Sequence, residues 1–145
     1  MAIKERWKGV AELPTDIEHK LELLPSLLRE HGVQLAYLFG SLAHGPEAND
    51  VDLAVWSSDV PAYRLREPIV ECLGTESLGL VDLQQASPIS QFQILKSSIP
   101  LYVADEMFQV EYELQTINLY RDERYSRRRW AEYYREAGGA ACSAS

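Results

Sequence analysis

The sequence predicts an α/β (α+β) domain: a small sheet flanked by helices, followed by a long C-terminal helical segment. Three observations carry this. Residues 33–39, VQLAYLF, form a near-continuous apolar run, as expected of a strand buried on both faces. Residues 50–56, DVDLAVW, place acidic and apolar residues alternately and read as a second strand. From Asp105 to about Ala137 the chain has no Gly or Pro and is rich in helix formers, which predicts one long helix or two.

Taken in order, residues 1–14 show no period and are expected to be loosely ordered. Thr15-x-x-Glu18 has the form of a capping box ahead of Ile17, Leu21, Leu24 and Leu28 at helical spacing. Pro25 interrupts that pattern, so the helix is expected from about Pro25 to His31, closed by Gly32. His31 then sits at a helix C-terminus, where a partial positive charge is favourable. Val33–Phe39 follows as the first strand and ends in a turn at Gly40 and Ser41.

After the second strand, Ser57, Ser58 and Asp59 offer helix caps before Pro61. Leu65, Ile69, Cys72 and Leu73 share one helical face ending at Gly74, with Pro68 expected to kink or restart the helix. Residues 79–83, GLVDL, read as a third short strand. Ser87 and Pro88 are cap and first position of a short helix carrying Ile89, Phe92 and Leu95 and ending near Ser97. Pro100–Val103 is expected to be an edge or terminal strand. In the last segment Arg121, Arg124, Arg127, Arg128 and Arg129 interleave with Tyr120, Tyr125 and Trp130. A docking helix with a solvated face, or a protein interface, accounts for that pattern.

Composition bounds the function. At 145 residues there is chain for one domain with a modest core. Its apolar and charged fractions, 46% and 25%, are those of an ordinary globule. The formal charge of −8 disfavours non-specific nucleic-acid binding, which needs a basic footprint. The two cysteines, Cys72 and Cys142, have neither disulfide-scaffold nor zinc-site spacing. No stretch approaches the ~18–20 apolar residues of a membrane span, and the N-terminus has no apolar run of a leader, so the expected compartment is the cytoplasm. The division expected is 1–137 as the folded domain and 138–145 as a disordered tail.

The chemistry concentrates between residues 35 and 56. Strand side chains alternate with a period of two, so Asp50 and Asp52 point one way while Val51, Leu53 and Val55 point to the core. Two carboxylates on one strand face are costly to bury without a cation. A divalent metal fits, since hard cations take oxygen ligands and hold substrate phosphates. A small Gly-Ser turn lets backbone N–H groups approach a phosphate. Asp82, mid-strand between Val81 and Leu83, is either a strand-end carboxylate facing water or a third member of the site.

The order LFGSLAHG then NDVDLAV resembles the signature of the polymerase-beta-like nucleotidyltransferase superfamily in its minimal form, MNT. The tract VDLQQASPISQFQILKSSIPLYV is similar to the second half of such proteins, so the resemblance covers about Val33 to Val103. It implies a nucleotidyltransferase fold with a small mixed sheet. It also implies Mg²⁺-dependent transfer of a nucleoside monophosphate from a triphosphate. In that reading Asp50, Asp52 and Asp82 are catalytic and metal-holding, and Gly40, Ser41 and His44 bind the nucleotide. Lys96 is a further phosphate contact to consider. The spacer from Ser41 to Asp50 is shorter than the commonest family pattern, and Asn49 stands where a Ser is usual.

The small stand-alone members it resembles are antitoxins paired with a helical HEPN-type ribonuclease toxin. The resemblance therefore implies an antitoxin that transfers AMP from ATP to a tyrosine of that toxin, in a hetero-oligomer. Two alternatives stay open: a non-catalytic antitoxin acting by occlusion, and a nucleotidyltransferase of small molecules.

Overall fold

A computed structural model of the chain describes residues 15–43 and 50–144. Helix α1 spans Ile17–Glu30, strand β1 Val33–Phe39, a 3-10 turn Ser41–Ala43, and β2 Val51–Ser57. Helix α2 spans Ala62–Leu73, β3 Leu78–Asp82, α3 Pro88–Lys96, β4 Ile99–Val103 and α4 Glu106–Ala144. The strands form one mixed sheet in the order β3-β2-β1-β4. β1 is antiparallel to both β2 and β4, while β2 and β3 run parallel. β4 is an edge strand, as its Pro100 requires.

The central strands alternate between two cores. On one face Ala36, Leu38, Val51, Leu53 and Val55 meet α1 and α2. On the other, Leu35, Tyr37, Ala54 and Trp56 meet Tyr112 and Phe108 of α4 and Leu95 of α3. The apolar run of β1 is thus buried from both sides.

Helix α1 begins before Pro25 instead of at it. Ile17, Leu21, Leu24 and Leu28 are all buried along one stripe that runs across the proline. An interior proline costs about 3 kcal/mol. Burying four such side chains, at about 1.5–3 kcal/mol each, outweighs it. The capping box does not form: Asp16 takes the N-cap position without a side-chain cap bond, and it pairs instead with Lys20 Nζ at 3.7 Å. His31 closes the helix as expected. Its Nδ1 donates to the Leu27 carbonyl at 2.8 Å, and Gly32 follows with a φ of +74°.

Helix α2 likewise runs through Pro68, because Leu65, Ile69 and Leu73 bury their side chains on both sides of it. The expected caps serve elsewhere: Ser58 Oγ donates to Gln34 Oε1 at 2.6 Å, and Pro61 is the N-cap residue. In α3 the cap is the expected one, with Ser87 Oγ accepting from Ser90 N at 3.2 Å.

Helix α4 is a single element of 39 residues. It runs to Ala144. Its first turns pack on the sheet. Trp56 lies 5.0 Å from the Tyr112 ring and 5.9 Å from that of Phe108, and the buried Thr116 hydroxyl donates to the Tyr112 carbonyl. From Arg121 to Ala137 every residue but Glu123 is exposed. Among the described residues no helix is long and apolar enough to cross a membrane.

Candidate active site

β1 delivers the turn and β2 delivers the acids. Phe39 and Asp52 are register partners, so Gly40 leaves the sheet beside the Asp52 side chain. Gly40 has a φ of +75°, a left-handed conformation that glycine adopts without penalty. Its second role is steric: a Cβ there would collide with Asp52 Oδ2. The chain then turns through Ser41–Ala43, with Ala43 N donating to the Gly40 carbonyl at 3.3 Å.

On the other side of Asp52 lies β3. Asp52 is in register with Gly79, and a Cβ on Gly79 would stand 2.5 Å from Asp52 Oδ1. The carboxylate is therefore seated between two glycines, one on each neighbouring strand. A glycine inside a strand signals close approach of another group, and that signal was present at position 79 in the sequence.

Asp50 is exposed and immediately precedes β2. The Asp52 carboxyl is pushed above the usual carboxylate range, first by burial and then by the charge of Asp50. Among the described residues no cation pairs with either acid. A divalent cation bound there would relieve both the burial cost and the mutual repulsion, so the donor set fits a hard metal ion.

The structure does not bring Asp82 to this pair. Along β3, Gly79 and Val81 share the Asp52 face, whereas Leu80 and Asp82 point to the α2 side. Asp82 is in register with Val55, three rungs from the Asp52 level, or about 10 Å along the strand. Its Oδ1 accepts from Gln84 N at 3.0 Å, fixing the turn that leaves β3. The expectation that Asp82 completes the site thus meets the opposite face of the sheet; the one-residue offset within GLVDL decides it. Among the described residues no three His, Cys, Asp or Glu side chains gather as a metal cluster. His44 lies outside the described residues, and Lys96 is the last residue of α3.

The family model for polymerase beta nucleotidyltransferases matches residues 22–107. The chain belongs to that family. The match runs from α1 through β4 into the start of α4 and includes the turn and the acidic pair.

Solved structures agree with this fold. One is of a tri-AMPylated Shewanella oneidensis HEPN toxin in complex with an MNT antitoxin. It is similar at 24% identity and a TM-score of 0.63, over 79% of this chain and 95% of that one. Another is of a toxin–antitoxin with AMP-PNP, at 25% identity and a TM-score of 0.63, over 78% and 95% of the two chains. A third, described as a minimal nucleotidyltransferase, is 28% identical with a TM-score of 0.50, over 57% and 90%. No curated protein matches the chain.

Proposed function

We propose that this chain is the antitoxin of a HEPN–MNT pair, and that it is a metal-dependent protein adenylyltransferase moving AMP from ATP to a tyrosine of its partner toxin. The observation that carries the reading is the Gly40–Ser41 turn folded directly against Asp52. That arrangement sets a small turn, of the kind whose backbone N–H groups suit a phosphate, beside an acidic pair. The likeness to structures of an AMPylated HEPN toxin with its MNT antitoxin, and of a toxin–antitoxin with AMP-PNP, supports the choice of partner and nucleotide.

In this reading Gly40 and Ser41 cradle the triphosphate, and His44 adds a phosphate contact. Asp50 and Asp52 hold Mg²⁺, which supplies charge neutralisation of the triphosphate and its leaving group. The toxin tyrosine oxygen attacks the α-phosphorus, and a new P–O bond forms. The bond from that phosphorus to the bridging oxygen breaks, pyrophosphate leaves, and the phenolic proton passes to solvent. Asp82, on the other sheet face, takes no part.

The test is calorimetric titration of ATP with Mg²⁺ into the wild type and into the Asp50→Ala/Asp52→Ala double variant. Metal-dependent binding that the variant loses is expected. Equal binding by both proteins would remove the acidic pair from the site.

A second reading, neutralisation by occlusion alone, is favoured by the exposed aromatic and arginine residues of α4, among them Tyr125, Trp130, Tyr133 and Tyr134. It expects the double variant to neutralise the toxin as well as the wild type does. Loss of neutralisation with binding intact would reject it.

A further inference from the structure

β3 lies beside β2 and runs parallel to it, so its residues on the Asp52 face stand next to that carboxylate. The rung beside Asp52 is Gly79. The next residue of β3 on that face, Val81, is packed in the apolar cluster with Ala54 and Leu83. The acid of this strand, Asp82, faces the other way. The geometry points to a site that holds a single divalent cation with its nucleotide, and to Gly79 as the residue that sets this number. The inference rests on the function proposed above.

The reason is ligand supply. A pair of metal ions about 3.5–4 Å apart needs several protein oxygens to anchor both. A single Mg²⁺ with one or two carboxylates, substrate phosphates and water has a complete shell. Among the described residues Asp50 and Asp52 supply that smaller set, and no third His, Cys, Asp or Glu side chain gathers with them. Glycine at position 79 also gives its side-chain space to Asp52 Oδ1, so the residue positions the ligand that it leaves alone.

The experiment counts cations directly. Mn²⁺ is titrated into the wild-type chain saturated with a non-hydrolysable ATP analogue, and unbound Mn²⁺ is read by electron paramagnetic resonance. One tightly bound Mn²⁺ per chain is expected. Two would overturn the inference and leave the adenylyltransferase reading standing. None, with no nucleotide bound, would overturn both. The same titration on Gly79→Ala, whose methyl pushes on Asp52 Oδ1, is expected to weaken the Mn²⁺ by about tenfold or more, the scale of residues that orient a ligand. Unchanged affinity would remove Gly79 from its positioning role.

Discussion

The Asp52 carboxylate occupies the place where a Gly40 side chain would begin, and this contact joins the two halves of the site. The turn and the acidic strand are separated in sequence but interlocked in space. Gly40 is held at a positive φ in the same step.

Gly40→Ala therefore carries two penalties. The left-handed backbone costs a residue with a Cβ about 1–2 kcal/mol, and the methyl displaces Asp52. The variant is expected to lose about that much stability in urea unfolding, and Mg²⁺-dependent nucleotide binding with it. Wild-type binding in a destabilised variant would break the link between turn and acid.

Asp52 has a pH signature. Its pKa is raised in the fold, by burial first and by Asp50 second. A raised pKa favours the protonated carboxyl, so the stability it contributes is present below the unfolded-state pKa and lost as pH rises through the folded one. Without metal, Asp52→Asn is expected to be more stable than the wild type at neutral pH, with the gap closing below about pH 4. Urea midpoints at several pH values read this. A gap independent of pH would contradict it.

Tyr112 gives the alkaline counterpart. Burial pushes its phenol up to about 12. Its hydroxyl donates to Gln91 Oε1 at 2.7 Å, tying α4 to α3. Neighbouring Tyr37, whose hydroxyl donates to Glu113 Oε1 at 3.0 Å, is also raised by burial and by that carboxylate. The folded state retains protons that the unfolded chain gives up, so stability falls as pH rises from about 10, the ordinary tyrosine value, toward 12. In Tyr112→Phe that fall is expected to be shallower in alkaline unfolding. An identical fall would mean the phenol does not contribute.

The exposed end of α4 behaves differently. Trp130 is 58% exposed and touches only its helix neighbours Tyr133 and Tyr134 among the aromatic side chains described. Trp130→Ala is expected to change stability by no more than about 0.5 kcal/mol. Under the proposed pairing it weakens capture of the toxin in a binding titration. A large stability loss would show that this end packs on its own body.

Much of the fold was legible because periodicity and burial agree. β1 has the bounds its apolar run predicts, Ser87 caps α3 as its sequence predicts, and Gly32 and Gly74 close α1 and α2. The prolines misled, since Pro25 and Pro68 signal a break locally while the buried stripes on either side of each favour continuity. In the candidate site, the order of the Gly40–Ser41 turn and the Asp50/Asp52 pair singled these residues out, and the structure folds Gly40 against Asp52. Asp82 did not follow, because a strand motif states which residues alternate and not which rung meets the neighbouring strand. The pairing of Asp52 with Gly79 is a long-range register.

The central claim is AMP transfer to a protein partner, and the mass of that partner tests it most directly. The chain is incubated with its HEPN-type toxin, ATP and Mg²⁺, and the intact toxin is weighed. The account predicts a gain of one or more whole AMP units on a tyrosine, absent with the Asp50→Ala/Asp52→Ala variant. A toxin of unchanged mass under saturating ATP, neutralised all the same, would contradict it.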